Sequence, residues 1–530
     1  MIVIIGASAS GKTEIAKILY KKYNYKKCVT TTTRVIRDNE IDGVDYHFLD
    51  KETFIKLMNE DSFVAIANYQ NNYYGTNKKH INNNALIIVT PDGANELIDA
   101  YGNDVFIVYI ESPEEKRRSR MLARGDKLTS INKRLEDDRL IFNKDNLKRI
   151  DLHILNTDEP LAEHAKTIFE AYQKFLNVIE VKGKYGVAKV FTKNVTSDVL
   201  EQLKDIVNSD YAKDTKIRVM PDTHSGFGVP IGYTQNLTNK VVPNFVGVDI
   251  GCGMLVSKLA NYPDYPVNYH RLEKVINDNV PSGFNVFNKK QTVKTNIEDL
   301  IAPINLERAY RSIGTLGGGN HFIELNQSES GLYLVIHSGS RHLGVEVCNY
   351  WQKLITKENP YLTGDHFNGY LHDMKIAQKF ASENRKAMRN TIFELMKWDL
   401  LDEFETVHNY IDLKHGILRK GAISARKNEI VIIPINMRDG SLIARGLGNS
   451  DWNYSAPHGA GRVMSRTEAK KTLSIDDFEA SMQEVWTKSV SPKTLDEAPF
   501  VYKEMQEIID YTKDTIEVIE KLKVLYNYKA

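Results

Sequence analysis

A glycine-rich loop between a predicted strand and a predicted helix constrains the fold of the first part of this chain. Residues 1–5 read M-I-V-I-I, which predicts a short buried strand, and G-A-S-A-S-G-K-T follows at 6–13 ahead of an amphipathic helix. In this context G-x-x-x-x-G-K-T predicts a loop whose backbone N–H groups and helix N-terminus bind phosphate oxygens. We therefore expect an α/β P-loop domain, a parallel sheet with flanking helices, that binds Mg-ATP. The residues expected to hold the nucleotide and its magnesium ion are Gly6, Gly11, Lys12 and Thr13.

The length and composition limit the other possibilities. At 530 residues the chain is too long for a single core, so two or three domains are expected. The formal net charge of +1 excludes a globally basic protein, and any nucleic-acid site must be a local patch. Three cysteines do not make a disulfide framework, and the apolar runs are strand-length. We therefore expect a cytoplasmic protein with no membrane partner.

Several segments after the loop narrow the class of kinase. The stretch T-T-T-T-R-V-I-R-D-N-E-I-D-G-V-D-Y-H-F at 30–48 resembles the nucleotide-acceptor segment of guanylate kinases, and Y-G-T at 74–76 matches as well. R-M-L-A-R-G-D at 120–126 and R-L-E-D-D-R at 134–139 resemble the lid of that family, so the resemblance covers roughly residues 1–175. It implies that the acceptor substrate is bound by Arg34, Arg37, Glu40, Tyr46 and Tyr74. It also implies that phosphoryl transfer depends on Lys12, Arg124 and Arg134.

The positions that read the guanine base in that family are altered here. F-V-A leaves Ala65, and A-L-I-I-V-T-P-D-G leaves Ile88 and Thr90, where guanylate kinases carry carboxylates. Without these acceptors the N1–H and N2–H₂ groups of guanine lose their partners, which is unfavourable in a pocket. Three interpretations of this half stay open: phosphorylation of GMP or another nucleoside monophosphate, phosphorylation of an RNA end, and nucleotide binding without catalysis.

The character of the chain changes near residue 178, where a predicted terminal helix gives way to a β-rich stretch. We place the domain boundary there, with domains at 1–178 and 179–530. The second domain contains clusters, most of them rich in glycine, that each carry a histidine or an acidic residue. These clusters lie at 220–228, 246–254, 314–325, 335–344, 405–410 and 455–466. Glycine loops are expected where the backbone must approach a ligand closely.

The side chains in these clusters make a dinuclear metal centre plausible. V-G-V-D-I-G-C-G-M at 246–254 brings a carboxylate and a thiolate to one point, although on its own the turn fits an inert buried thiol. One thiolate, one carboxylate and three imidazoles provide enough donors for two divalent ions if the sulfur bridges. This donor set favours manganese, zinc or cobalt over calcium or magnesium. The donors are Asp249, Cys252, His321, His337 and His408.

A further histidine, His458, lies in H-G-A-G-R. The small residues after it leave room for a phosphate beside the ring, and Arg462 is placed to hold that phosphate. Two roles are open on this chemistry: a nucleophile that forms a phosphoramidate, and an additional metal ligand.

Taken in order, these motifs resemble the RtcB family of RNA ligases from about residue 179 to 530. The resemblance implies an α+β domain that uses GTP and two manganese ions to join RNA 2′,3′-cyclic phosphate or 3′-phosphate ends to 5′-hydroxyl ends. It implies that Cys252 bridges the two ions and that His458 becomes guanylylated. The residues implied to contact GTP are Asn320, Glu324, Arg419, Lys420, Arg462 and Lys529. Asp222, in P-D-T-H, is implied to lie near the reacting substrate.

The implied partners are GTP and RNA, as tRNA halves or other cleaved ends. RNA is expected to be held through its phosphates, with Arg341, Arg385 and Arg466 as candidates. The first domain would then re-phosphorylate the GMP that ligation releases. The alternative is a metal-dependent RNA-end phosphoesterase or sensor that does not ligate, with a non-catalytic nucleotide-binding domain at its N-terminus.

Overall fold

The computed structural model describes residues 1–37, 40–44, 46–69, 72–157, 159–261 and 267–529. The chain divides into two compact units, Met1–Asn177 and Val178–Ala530. Each unit has its own sheets and its own hydrophobic core. Within the described residues, no helix combines the length and the apolar character that crossing a bilayer requires.

The described part of the first unit is built from nine strands and six α-helices. The strands are β1 (Ile2–Ile5), β2 (Lys26–Lys27), β3 (Thr31–Thr32), β4 (His47–Phe48), β5 (Phe63–Tyr69), β6 (Asn72–Asn77), β7 (Ala85–Ile88), β8 (Phe106–Glu111) and β9 (Leu152–Leu155). The helices are α1 (Lys12–Tyr23), α2 (Lys51–Asn59), α3 (Pro91–Tyr101), α4 (Glu114–Ala123), α5 (Leu128–Ile141) and α6 (Leu161–Leu176). One sheet has the order β2-β7-β1-β8-β9 with all pairs parallel. A smaller sheet has the order β4-β3-β6-β5.

The central strand β1 is buried on both faces of the parallel sheet. Ile4 packs in one cluster with Ile15 of α1, whereas Val3 and Ile5 pack in another cluster with Leu97 of α3. Successive strand residues point to opposite faces, so an unbroken apolar run is what a sheet covered by helices on both sides requires. The glycine-rich loop follows the carboxyl end of β1, the edge where open parallel sheets bind ligands. The prediction of a P-loop α/β domain is confirmed.

The described part of the second unit is built from sixteen strands and eight α-helices. The strands are β10 (Ile179–Lys182), β11 (Val187–Val190), β12 (Ile217–His224), β13 (Ile231–Asn236), β14 (Gly253–Asn261), β15 (Phe322–Ser328), β16 (Gly331–Ser338), β17 (Asp399–Val407), β18 (Asn409–Asp412), β19 (Ile417–Lys420), β20 (Ala422–Ser424), β21 (Ile430–Asn436), β22 (Gly440–Gly446), β23 (Ser455–Pro457), β24 (Trp486–Thr487) and β25 (Ile516–Lys529). The helices are α7 (Ser197–Asn208), α8 (Tyr269–Asn279), α9 (Leu306–Ser312), α10 (Arg341–Gln352), α11 (Gly364–Met396), α12 (Arg466–Thr472), α13 (Ile475–Ser481) and α14 (Met505–Thr512).

Two mainly antiparallel sheets organise this unit. One has the order β10-β11-β12-β13-β19-β18, and the other has the order β17-β14-β16-β15-β25-β22-β21, with β24 beside β25. The long helix α11 contributes to both cores, through Phe380 in one cluster and through Met388 and Ile392 in the other. The prediction of an α+β second domain is confirmed.

A fully buried arginine on α11 ties together the segments around the predicted metal ligands. The Arg385 guanidinium donates from Nη1 to the Gly251 carbonyl (2.8 Å) and the Ser338 carbonyl (2.5 Å), and from Nε to Glu405 Oε1 (2.8 Å). Its side chain has no exposed surface, so the expectation that Arg385 contacts RNA is wrong. A charge this deep requires such partners, because desolvation of an unpaired guanidinium is very unfavourable.

We expect Arg385→Met to lower the free energy of unfolding of the second unit by about 3–5 kcal/mol, because Glu405 and two carbonyls lose their donor. All four tryptophans lie in the second unit, so their fluorescence during denaturant unfolding reports on it. The control is Arg445→Met, which breaks an exposed pair with Glu517 and is expected to change stability by less than about 1 kcal/mol. Equal midpoints for the two variants would contradict the structural role of Arg385.

Candidate active site

Strand β14 brings the predicted metal ligands to one end of its sheet. It lies between β16 and β17, with Met254 opposite His337 and Gly253 opposite Val407. Cys252 immediately precedes β14 and His408 immediately follows β17. Cys252 and His408 are more than 150 positions apart in the sequence, and they meet because β14, β16 and β17 are neighbours whose ends lie at the same edge of the sheet.

The five donors form two groups that share the thiol. Cys252 Sγ lies 3.2 Å from His337 Nε2 and 3.5 Å from His321 Nε2. His337 Nε2 lies 3.4 Å from His408 Nε2, and His321 Nε2 lies 3.1 Å from Asp249 Oδ2. Within each group the donor atoms lie within 4.8 Å of one another. This arrangement fits two cation positions with the sulfur common to both.

The orientation of the imidazole rings also fits a metal centre. His321 Nδ1 contacts the Leu316 carbonyl at 2.9 Å and His337 Nδ1 contacts the Asn320 carbonyl at 3.2 Å. A ring that donates from Nδ1 to a carbonyl presents the lone pair of Nε2, as metal-binding histidines do. These lone pairs converge on the thiol and on His408 Nε2, and electron-rich atoms at this separation are stabilised by a cation between them.

Burial sets the protonation states of these groups. Desolvation lowers the pKa of His337 and His408 well below the usual value, so both rings are neutral and able to ligate. Burial, together with the neighbouring Asp249, raises the pKa of the Cys252 thiol well above its usual value. A bound cation reverses that effect, because metal coordination deprotonates a thiol.

His458, the predicted nucleophile, lies beside this cluster. It follows β23, and its ring centroid is 4.9 Å from that of His408. Its Nδ1 lies 2.7 Å from Oδ2 of Asp222, a carboxylate that is completely buried. With Nδ1 engaged by the carboxylate, Nε2 is the nitrogen available for reaction. Asp222 is therefore a positioning residue for His458, a role that its place in P-D-T-H did not reveal.

A cavity with a volume of about 130 Å³ opens beside His458. It brings together four of the residues predicted to contact GTP: Asn320, Glu324, Arg462 and Lys529. Its lining also includes Arg466, Glu497 and Tyr502, which the sequence reasoning did not assign to the nucleotide.

A buried acidic residue connects the cationic side chains of this cavity. Glu497 is paired with Lys529, accepts from Arg466 Nη1 at 2.7 Å and from the Tyr502 hydroxyl at 2.6 Å. Burial opposes ionisation of Glu497, but Lys529, Arg466 and the Tyr502 hydroxyl together outweigh it and lower the pKa to about 2. In contrast, burial raises the pKa of Glu324 to about 7. No local sequence pattern marks Glu497, because it lies in no glycine cluster.

Two residues predicted to contact GTP lie elsewhere. Arg419 is fully buried and donates to Ser455 Oγ and to the Tyr410 hydroxyl, both at 2.9 Å. Lys420 donates to backbone carbonyls, including that of Asn244 at 2.9 Å. Among the described residues that line the cavity beside His458, neither is present. Arg419 instead supports β23, the strand that ends one residue before His458.

The P-loop of the first unit has the backbone shape that phosphate binding needs. Gly11 has φ 100°, and Lys12 Nζ folds back onto the Gly6 and Ala7 carbonyls at 2.5 and 2.7 Å. Burial lowers the pKa of Lys12 to about 8. Thr13, at the start of α1, is exposed. The structure therefore places all four predicted loop residues around one concave turn.

The lid region contains an ion pair that the sequence reasoning missed. Asp138 accepts from the Ser8 backbone N–H and from Arg117 Nη1, each at 2.8 Å, and both charged side chains are buried. The two arginines predicted to act in transfer, Arg124 and Arg134, are exposed and lie 3.9 and 3.4 Å from Asp126. In this conformation no hydrogen bond between described residues connects either arginine to the P-loop.

The predicted acceptor residues do come together. Arg34 donates to both oxygens of Glu40 (2.7 and 2.9 Å) and lies over the Tyr46 ring, which contacts Tyr74 edge-on. The Arg37 backbone N–H donates to Glu40 at 3.0 Å. Asp38, Asn39 and Asp45 of this segment lie outside the described residues.

A cavity of about 340 Å³ connects this acceptor cluster with the P-loop. It is lined by Lys12, Tyr46 and Tyr74, and also by the three altered base-reading positions, Ala65, Ile88 and Thr90. The only hydroxyl among these three, Thr90 Oγ1, caps α3 by accepting from the Gly93 N–H at 3.4 Å. Among the described residues that line this cavity, the positions expected to contact the base therefore carry none of the carboxylates that guanine recognition uses.

The two units thus define a nucleotide-kinase fold and a second domain in which two groups of candidate metal ligands share Cys252 beside a cavity. Residues 202–305 and 294–530 match the family model described as tRNA-splicing ligase RtcB. The chain belongs to the RtcB family. Residues 1–172 match the guanylate kinase family model, so the family member carries a guanylate kinase domain at its N-terminus.

Individual relatives agree with this division. The RNA-splicing ligase RtcB of Escherichia coli K12 is 32% identical over 390 residues, which cover 63% of this chain and 95% of the relative. The guanylate kinase of Mycoplasma pneumoniae is 36% identical over 133 residues, 23% of this chain, and the match spans only 56% of that enzyme. A crystal structure of guanylate kinase from Anaplasma phagocytophilum covers 33% of this chain and 84% of its own, at 23% identity and a TM-score of 0.26.

A glycine beside the metal cluster provides a test of the ligand arrangement. A Cβ at Gly339 would clash with Asp249 Oδ1, so we expect Gly339→Ala to displace that carboxylate. Affinity for Mn²⁺ at one of two positions should fall by about 10–100-fold, as for other changes next to a metal ligand. Calorimetric titration of the metal-free protein measures this. The control is Gly318→Ala, where the nearest atom to a Cβ is 3.6 Å away, and equal affinities would contradict the assignment.

Proposed function

We propose that this chain is a GTP-dependent RNA ligase that joins RNA 2′,3′-cyclic phosphate or 3′-phosphate ends to 5′-hydroxyl ends through a guanylylated His458. The observation that carries the proposal is the placement of His458. Its Nδ1 is held at 2.7 Å by the buried Asp222 carboxylate, and its ring lies 4.9 Å from His408 in the wall of the cavity that Arg462 and Lys529 also line. A metal ligand or a structural histidine would not need all three features.

The metal centre of the proposed enzyme uses the two groups that share Cys252. Two manganese ions would be held by Asp249, Cys252 and His321 and by Cys252, His337 and His408. The mixed sulfur, nitrogen and carboxylate donors fit such an ion better than calcium or magnesium. When bound, the ions supply positive charge that stabilises phosphoryl oxygens as they become more negative.

The first step uses the residues around the nucleotide cavity. His458 Nε2 attacks the α-phosphorus of GTP, the P–N bond forms and pyrophosphate leaves. The ring becomes positively charged as this bond forms, and the Asp222 carboxylate stabilises it through Nδ1–H. Arg462 and Lys529 line the cavity and offset the charge of the phosphates and orient the nucleotide.

The later steps use the same histidine as a leaving group. Water opens the cyclic phosphate to a 3′-phosphate, whose oxygen attacks the guanylyl phosphorus and releases His458 with an RNA–GMP anhydride. The 5′-hydroxyl of the second RNA then attacks the 3′-phosphorus, the new phosphodiester forms and GMP leaves. Each attack needs its nucleophile opposite the leaving group, so guanylate and RNA must approach from different sides.

The same donors would also serve a phosphoesterase or an RNA-end sensor that does not ligate, and His458 separates the two functions. We expect protein incubated with α-labelled GTP and Mn²⁺ to retain an acid-labile label, because a phosphoramidate is hydrolysed by acid. His458→Ala should carry no label. His415→Ala is the control, since that histidine pairs with Asp412 at the surface. An unlabelled wild-type protein that still opens the cyclic phosphate would establish the phosphoesterase instead.

For the first unit we propose a kinase that transfers a phosphoryl group from Mg-ATP to a nucleoside monophosphate, including the GMP released by ligation. The support for this proposal is that a single cavity is lined both by Lys12 of the P-loop and by Tyr46 and Tyr74 of the acceptor cluster. Arg34 and these tyrosines suit an acceptor phosphate, and the lining at Ala65 and Ile88 does not favour guanine by hydrogen bonding.

The acceptor of this kinase can be identified with the full-length His458→Ala protein, which cannot consume guanine nucleotide by guanylylation. Incubation with γ-labelled ATP, Mg²⁺ and each of GMP, AMP, CMP, UMP or 5′-hydroxyl RNA should label a nucleoside monophosphate. GMP should be preferred over the others by less than about a hundredfold, because no carboxylate reads its edge.

The same assay on a variant that also carries Lys12→Ala gives the background. Transfer to 5′-hydroxyl RNA alone would make the first unit an RNA-end kinase. Labelling of no acceptor would make it a nucleotide-binding module.

A further inference from the structure

A second cavity, of about 350 Å³, also reaches the candidate metal ligands. Its lining includes Asp249 and His321, whereas the nucleotide cavity includes His337, His408 and His458. The cluster is therefore accessible through two openings that contact different ligands. The steps of the proposed function assign the guanylate to the first opening and leave this second one without an occupant.

An aromatic ring stands at the mouth of the second cavity. Phe284 is 94% exposed, the highest value among the large apolar residues of the described chain. It follows Gly283, which has φ 62°, in a turn held by two guanidinium groups. Arg341 Nη2 donates to the Gly283 carbonyl at 3.0 Å, and Arg308 Nη2 donates to the Phe284 carbonyl at 3.4 Å. The ring is thus displayed by a braced turn and makes almost no contribution to packing.

The cavity beside this ring is cationic. Arg308, Arg341 and His342 line it, and Asp249 is the acidic residue they face within the described lining. Arg308 Nε is buried and has no hydrogen-bond partner among the described residues. Arg341 adopts φ 58°, and a Cβ on the neighbouring Gly317 would clash with its guanidinium. Strained backbone and an unpartnered donor are features of binding sites rather than of structural arginines.

We propose that this cavity binds the terminal nucleotide of an RNA strand that is to be joined, with its base stacked on Phe284 and its phosphate held by Arg308 and Arg341. The inference rests on the proposed function and adds the RNA subsite to it. An aromatic face next to cationic groups is the combination that binds single-stranded nucleic acid without selecting a sequence. The position also leaves the cavity beside His458 free for the guanylate, because the two cavities are lined by different ligands.

The experiment compares Phe284→Ala, Phe284→Trp and Phe227→Ala in the full-length protein with GTP and Mn²⁺. KM for ligation is measured twice, with the 3′-phosphate strand varied and then with the 5′-hydroxyl strand varied. Loss of one stacked base should raise KM for one strand by about tenfold in Phe284→Ala, and Phe284→Trp should restore it. Phe227 is 78% exposed outside this cavity, so its replacement should leave both KM values unchanged. The strand that responds identifies which RNA end the site holds.

Three outcomes would overturn the inference. One is an unchanged KM for both strands in Phe284→Ala, and another is an equal rise in KM in Phe227→Ala. The third is slower guanylylation of Phe284→Ala, because guanylylation needs no RNA. If the wild-type protein is not guanylylated at all, the proposed function fails, but binding of a labelled 5′-hydroxyl or 3′-phosphate oligonucleotide still tests the cavity. Equal affinity of wild type and Phe284→Ala in that assay would then reject it.

Discussion

The arrangement of the candidate metal ligands depends on the buried guanidinium of Arg385. This guanidinium binds the carbonyl of Gly251, next to Cys252, and the carbonyl of Ser338, next to His337, while Glu405 neutralises it. Gly251 lies before β14 and Ser338 is the last residue of β16, so the guanidinium connects two segments that are distant in sequence. One planar group with several fixed donors can hold both backbones at once, which a lysine could not do with the same geometry.

This brace holds one thiol between two groups of ligands that line different cavities. His337 and His408 line the nucleotide cavity, and Asp249 and His321 line the cavity beside Phe284. In the proposed function the guanylate occupies the first cavity and the RNA end occupies the second, so both reach the same cluster of donors. Cys252 directly precedes β14, the strand between β16 and β17, and this place links the topology of the sheet to the proposed chemistry.

The sequence was informative where a local pattern carries the chemistry. The P-loop and the five donors could be predicted, because each lies in a short glycine-rich or histidine-containing motif. Arg385 was misassigned to RNA because arginines are usually exposed, and its burial depends on two strands that are distant in sequence. Glu497 and Phe284 could not be predicted at all, since an ordinary glutamate and an ordinary phenylalanine acquire a role only from what surrounds them after folding.

The proposed chemistry also limits what the two activities can do for one another. Each ligation would convert one GTP into GMP and pyrophosphate, whereas one transfer from ATP returns GMP only to GDP. The fused kinase would therefore remove the product of ligation without regenerating its substrate, and a second phosphoryl transfer must come from another enzyme. With Ala65 and Ile88 in the acceptor cavity, base recognition contributes little selectivity. The fraction of kinase turnover that acts on GMP, rather than on other nucleoside monophosphates, then depends on how much GMP the ligation reaction releases.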